Sequence, residues 1–170
     1  MQEHGAGPAI AARRRAGLVG AIAAAVIAID QLTKTWAAHT LATRDIDLFW
    51  TLRFHLARNR GAAFSLAFGS GGMVAILAVV VVIVLIAIGR SIGTRLGVLS
   101  LGLVLGGALG NLVDRAFREG SGFLGGAVVD FIDLQWWPIF NVADMAVSIG
   151  GVLLVLTASK EPDASKEPAV

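Results

Sequence analysis

Residues 61–89 carry no charge, and this uncharged run limits the possible folds more than any other feature of the sequence. A helix that crosses a bilayer needs about 20 mostly apolar residues. Hydrophobic residues make up 56% of the chain, against roughly 45–50% in soluble proteins. We therefore expect an integral membrane protein and predict that residues 72–89 form a membrane-spanning helix.

Three further apolar stretches complete a predicted set of four spans, over residues 16–38, 72–89, 96–115 and 139–158. The first span has to continue past Asp30 and Lys34 to reach a sufficient length. These two residues are spaced i,i+4 and can pair along the helix. The four predicted spans form a single domain over residues 13–158. We expect residues 1–12 to be disordered and residues 159–170 to form a disordered, solvated tail.

The first apolar stretch also resembles a secretory signal peptide, because Arg13, Arg14 and Arg15 precede an apolar core. A cleaved signal should end at a small-x-small site. The stretch instead continues into DQLTKTWAAHT at residues 30–40. We therefore expect a retained helix.

Residues 45–57 change period, with apolar and polar side chains alternating along most of the run. Strict alternation is typical of a half-buried strand or hairpin. A strand with open edges cannot cross lipid alone, so the element should lie at the membrane surface. Residues 62–68 are predicted as a short surface helix, and residues 127–134 as an extended run. The expected fold is a membrane all-α, four-transmembrane-helix bundle with a small extracytoplasmic β-element and this short surface helix.

The order of the spans brings the polar motifs to one face of the membrane. A helix that leaves and the helix that returns share a face, so residues 30–34, 59–65, 106–115 and 140–144 converge. Short basic segments next to spans favour the cytoplasm. The arginine run at residues 13–15 and the loop at residues 90–95 therefore place both termini in the cytoplasm, with the polar motifs on the extracytoplasmic side.

Composition narrows the chemistry that this polar face could perform. The chain has no cysteine, and its three histidines have no metal-binding spacing, so we expect no metal and no cofactor. A net charge of +2 without a basic patch gives no reason to expect nucleic acid as a partner. A carboxylate pair remains, in which two close acids share a proton. The residues alone do not decide whether Asp114 or Asp130 would act with Asp144.

Five blocks in order resemble the motifs of the lipoprotein signal peptidase family (signal peptidase II): DQLTK at 30–34, NRGAAFS at 59–65, GGALGNLVDR at 106–115, VVDFIDL at 128–134 and FNVAD at 140–144. The resemblance implies a bacterial plasma-membrane aspartyl endopeptidase. Its substrates would be diacylglyceryl-modified prolipoproteins, which it cleaves just before the lipidated cysteine. Besides these substrates, the expected partner is membrane lipid, and the expected state is a monomer.

The resemblance also implies residue roles. Asp130 and Asp144 would be the catalytic pair, and Asp133 a solvated bystander. The expected supporting residues are Asn59, Asn111, Asp114, Arg115 and Asn141 around the site, with Asp30 and Lys34 as a buried structural pair.

Other interpretations of these residues stay open at this point. The asparagines could cap helices, which Asn favours, and Arg115 could form an ion pair with Asp114 or Glu119. The whole protein could instead be a small non-enzymatic transporter or scaffold with Asp30 and Lys34 on an ion path.

Overall fold

The computed structural model describes residues 7–61, 72–89, 93–120 and 124–158. Within these residues the chain is mostly helical and carries one small sheet. The helices are α1 (Pro8–Thr40), α2 (Gly72–Gly89), α3 (Arg95–Phe117) and α4 (Val142–Ala158), and the strands are β1 (Ile46–Phe49), β2 (Leu52–Asn59) and β3 (Val128–Asp133).

The first helix begins earlier than the sequence suggested. Pro8 occupies its first turn, where the fixed φ of proline suits a helix start, and several alanines follow, which favour helix. The prediction of disorder is therefore wrong for residues 8–12. Residues 1–6, the predicted surface helix at 62–68 and the predicted tail at 159–170 lie outside the described residues.

Two of the described helices, over Ile10–Thr40 and Arg95–Phe117, are long and apolar enough to cross a membrane. The apolar stretch Val142–Thr157 is shorter, and α2 has the predicted bounds of residues 72–89. The mostly helical fold with a small sheet is confirmed. The prediction of four spans stays a prediction.

The alternating run folds as the predicted hairpin, and a third strand joins it. The sheet order is β1-β2-β3, with antiparallel neighbours. Trp36 of α1 packs edge-on against Phe54 of β2 and Phe131 of β3, at ring-centroid distances of 5.4 and 6.2 Å. This aromatic cluster fixes the sheet against α1, and in the sheet Ala57 pairs with Asp130.

Glycines on α3 let that helix lie close to both α1 and α4. A Cβ added at Gly106 would come within 2.7 Å of the Val26 side chain on α1. One added at Gly107 would collide with the carbonyl oxygen of Ala143 on α4. Small residues let helices approach closely, and Gly106 and Gly107 serve this purpose here. As a result the polar ends of α1, α3 and α4 meet.

Candidate functional site

The N-terminus of α4 is closed by a reciprocal pair of hydrogen bonds between Asn141 and Asp144. The Asp144 N–H donates to Asn141 Oδ1 at 3.0 Å, and the Asn141 N–H donates to Asp144 Oδ2 at 3.2 Å. This is the capping-box arrangement, with the carboxylate beside the positive end of the helix dipole. Asn141 therefore does cap a helix, and the cap fixes the position of Asp144.

The same asparagine reaches a second carboxylate on β3. Asn141 Nδ2 donates to Asp130 Oδ1 at 2.6 Å and to Asn111 Oδ1 at 3.1 Å. Asp130 is 3% exposed and also has a hydrogen bond from Asn59. Asn141 thus connects the two carboxylates, as a cap for one and a donor to the other.

A fully buried lysine orients the second asparagine of this network. Lys34 Nζ lies 2.8 Å from Asp30 Oδ2, 3.2 Å from Asp114 Oδ2 and 2.8 Å from Asn111 Oδ1. An ammonium group can only donate, so the Asn111 oxygen has to face it. The Asn111 amide nitrogen then donates to Asp144 Oδ1 at 2.8 Å. Lys34 therefore acts on Asp144 through an intervening amide.

Asp114 is enclosed by donors from α1, from β3 and from the residue that follows α3. It accepts from the Val129 N–H at 3.0 Å, from Arg118 Nε at 2.7 Å and from Gln31 Nε2 at 3.0 Å, in addition to its contact with Lys34. It is 0% exposed. These contacts join α1, α3 and β3. Asp114 therefore has the environment of a structural carboxylate.

Sequence reasoning missed two members of this network, Gln31 and Arg118. Arg118 lies four residues after Asp114, so the i,i+4 rule that pairs Asp30 with Lys34 could have found it. Gln31 also donates to the carbonyl oxygen of Gly110 and to Asp30 Oδ2. The sequence signal for Gln31 was its polar amide side chain within an otherwise apolar helix, which indicates a buried hydrogen-bonding role.

A cavity of about 440 Å³ lies beside the two carboxylates, and we call it the dyad cavity. Its polar lining comes from Asn59, Asn111, Arg115, Asp130, Asp144 and Ser148, and its apolar lining from residues that include Ala108 and Val147. Five of the seven predicted site residues therefore line this cavity, and the other two, Asn141 and Asp114, are absent from its lining.

Arg115 contributes an unsatisfied donor to this cavity. It is 7% exposed, and its buried Nη1 has no hydrogen-bond partner in the described part of the chain. Neither ion pair considered for it, with Asp114 or Glu119, occurs among the described residues, and Arg118 takes Asp114 instead. A buried unpaired donor is costly, so the position suits a group that enters the cavity.

Asp133 does not have the solvated position predicted for it. It is 4% exposed and accepts from Arg53 Nε at 2.7 Å. Burial opposes its ionisation, but the hydrogen bonds from Arg53 and from the Gln135 N–H outweigh burial and lower the pKa of the carboxyl. Asp133 is a buried, paired residue that lies outside the dyad cavity's lining.

Asp130 has the opposite electrostatic environment. Burial first, and then the charge of Asp144, raise its pKa from 3.8 to about 6. Hydrogen bonds from Asn59 and Asn141 and the charge of Lys34 oppose this rise only in part. Asp130 therefore keeps a proton more readily than an ordinary aspartate does.

The raised pKa predicts a specific pH dependence of stability. In the unfolded chain Asp130 ionises near 3.8, but in the folded chain only near 6, so the folded state binds more protons between these values. Stability should fall as pH rises from 4 to 7, by about 3 kcal/mol at about 1.4 kcal/mol per pKa unit. Tryptophan-fluorescence unfolding of wild type and Asp130→Asn in detergent, across this range, would measure the effect.

Asp133→Asn is the matched control for this prediction, because Asp133 lies on the same strand with a lowered pKa. The stability that Asp133 provides is present above its unfolded pKa and is lost as pH falls. Removing it should therefore leave the slope between pH 4 and 7 almost unchanged and alter it only below about pH 4, in the opposite sense to Asp130→Asn. The same slope for wild type and Asp130→Asn would contradict the environment described for Asp130.

Comparisons with known proteins agree on one family. The family model described as signal peptidase (SPase) II matches residues 22–160. The lipoprotein signal peptidase of Rhodococcus jostii is 44% identical over 154 residues, covering 88% of this chain and 77% of that protein. That of Mycobacterium leprae is 43% identical over 145 residues, covering 84% and 72%.

Solved structures of bacterial membrane enzymes have a similar fold. A bacterial membrane enzyme determined by the in meso method at 2.3 Å resolution is 30% identical, with a TM-score of 0.74, and the match covers 91% of this chain and 94% of that one. A second, at 1.9 Å, is also 30% identical, with a TM-score of 0.71 and coverage of 85% and 94%.

Proposed function

The chain belongs to the signal peptidase II family of aspartic proteases, and from this premise we propose how its site removes the signal peptide from prolipoproteins. The substrate is a diacylglyceryl-modified precursor, cut just before the lipidated cysteine. Asp130 and Asp144 form the catalytic pair. The observation that carries this assignment is that both carboxylates line one cavity and are joined through Asn141. Membership of a protease family decides against the alternative of a transporter or scaffold.

The environments of the two carboxylates support different protonation roles. Burial and the neighbouring charge raise the pKa of Asp130 to about 6, so it holds the shared proton. Asp144 lies at the positive end of α4 and accepts from two amides, and we assign it the role of general base. A pair of this kind titrates as a unit.

The reaction then balances with one water and no covalent enzyme intermediate. Asp144 takes a proton from the water as the water oxygen attacks the peptide carbonyl carbon, and the proton on Asp130 goes to the carbonyl oxygen. This gives a neutral gem-diol. The C–N bond then breaks, the leaving nitrogen takes the proton from Asp144, and Asp130 recovers its proton from the gem-diol hydroxyl.

The supporting residues hold this pair and its substrate. Asn111 and Asn141 fix the carboxylates through their amide groups. The free Nη1 of Arg115 donates to a backbone carbonyl of the substrate, and Asn59 bonds to Asp130 from the adjacent strand. Donors placed before the substrate arrives cost little reorganisation during the reaction.

The arrangement in the membrane follows from the order of the apolar segments. We infer four spans in the bacterial plasma membrane, made by α1 to α4 of one domain over residues 13–158, with both termini cytoplasmic. The dyad cavity then lies at the extracytoplasmic face, where the sheet covers it. The protein acts as a monomer in contact with lipid.

Processing of a defined precursor by the purified protein tests this function. The protein in lipid nanodiscs should cut a diacylglyceryl-modified prolipoprotein before its cysteine and leave the unmodified precursor uncut. Mass spectrometry of both products gives the bond. Cleavage at another bond, or no cleavage of the modified precursor, would refute the proposal.

A further inference from the structure

A second cavity, of about 530 Å³, meets the dyad cavity at Asp144 and Ser148, which line both. Its remaining wall is apolar and comes from Leu134, Trp136, Trp137, Phe140, Met145 and Ile149. We call it the aromatic groove. Ile149 is 50% and Met145 43% exposed, so the groove opens along the outer side of α4.

The two cavities differ in what they can bind. The dyad cavity offers amide and guanidinium donors from Asn59, Asn111 and Arg115, which a peptide backbone needs once it leaves water. The aromatic groove offers hydrocarbon and indole surface, which leaves a backbone unsatisfied but suits an alkyl chain. The peptide therefore belongs in the dyad cavity.

Ser148 adds a polar group at the junction of the two cavities. It lies one helical turn after Asp144, and its hydroxyl has no hydrogen bond among the described residues. Three other helix hydroxyls bond back to the preceding turn, Thr33 to Ile29, Ser100 to Leu96 and Thr157 to Leu153. The Ser148 hydroxyl is thus free to donate to a ligand.

We propose that the aromatic groove binds an acyl chain of the substrate's diacylglyceryl group, and that Ser148 donates a hydrogen bond to its ester carbonyl. The inference rests on the proposed function, because a bond cut just before the lipidated cysteine places the glyceryl group within one residue of Asp144. The groove begins at Asp144, so the chain enters it directly. Trp136 and Trp137 also suit the depth of ester and headgroup, where tryptophan is enriched.

Filling the groove tests the proposal with two precursors that differ only in their acyl chains, palmitoyl or butanoyl. Ile149→Trp should raise KM for the palmitoyl precursor by about tenfold or more, as expected when a pocket loses room for several methylenes. KM for the butanoyl precursor should change less than about twofold. Ser148→Ala should lower kcat/KM for both precursors by about fivefold, the effect of about one hydrogen bond.

Two substitutions on the same helix are the controls. Val152 is 60% exposed but lines neither cavity, so Val152→Trp should leave both KM values unchanged. Thr157→Ala removes a hydroxyl that lines neither cavity. It should leave kcat/KM unchanged for both precursors, in contrast to Ser148→Ala. These controls separate an effect of the groove from an effect on α4 in lipid.

An equal effect of Ile149→Trp on both precursors, or no effect on either, would overturn the acyl-chain assignment. Unchanged kcat/KM in Ser148→Ala would overturn the hydrogen bond to the ester. Failure of the proposed function gives a different result, since wild type would then cut neither precursor. Asp144→Asn should be inactive on both, whatever the chain length.

Discussion

Asp144→Asn should abolish cleavage of a lipidated precursor while preserving the start of α4. An asparagine at this position keeps an oxygen that can accept from the Asn141 N–H, so the helix cap persists. It cannot take a proton from water, and loss of a general base or acid costs about 10²–10⁴-fold in rate. Asp130→Asn should have an effect of the same size, because the pair acts as a unit. Single-turnover cleavage in nanodiscs, with unfolding followed by tryptophan fluorescence, measures both quantities.

Asp133→Asn is the matched control for this pair of substitutions. Asp133 lies three residues after Asp130 on β3, is similarly buried, and loses a contact with Arg53 when it is neutralised. It should retain most of its cleavage rate per folded protein. Normal processing by Asp130→Asn or Asp144→Asn would sink the assignment of the pair, and a comparable loss in Asp133→Asn would show that buried charge on β3, rather than chemistry, is being measured.

The contrast between Asp130 and Asp133 also shows how far the sequence could be interpreted. An odd spacing on a strand puts the two side chains on opposite faces, and this much is readable from VVDFID at residues 128–133. The presence of Arg53 on the other face depends on pairing between β2 and β3, far apart in the chain. For that reason Asp133 was wrongly predicted to be solvated.

Asp114 illustrates the same limit for the choice of the catalytic pair. Its spacing from Asn111 repeats that of Asp144 from Asn141, and the residues alone did not rank Asp114 below Asp130. The difference comes from donors on other elements, Gln31 and the Val129 N–H, which occupy Asp114. Alternation predicted the hairpin correctly and i,i+4 spacing predicted the Asp30–Lys34 pair, because both signals depend on neighbours in the chain. Such local signals do not report contacts between elements that are distant in the chain.

Lys34→Met should destabilise the protein more than any surface substitution, because it leaves Asp30 buried without a cation and Asp114 with Arg118 alone. Breaking a buried ion pair by removing one partner costs about 3–5 kcal/mol. Unfolding followed by tryptophan fluorescence in detergent would measure the loss. Adding Asp30→Asn removes the uncompensated charge, so the double variant should be more stable than the sum of the single effects predicts, by about 0.5–3 kcal/mol.

The double variant also separates folding from positioning. Without Lys34, Asn111 Oδ1 keeps only the Asn141 amide as a donor, so the Asn111 amide is held less firmly with its nitrogen toward Asp144. The Lys34→Met/Asp30→Asn protein should therefore fold better than Lys34→Met but still cleave slowly per folded molecule. The Asp30→Asn single variant is the control, since it keeps the Lys34–Asn111 contact and should cleave faster. Full activity in the double variant would limit Lys34 to a structural role, and strict additivity of the two stability effects would contradict the buried pair itself.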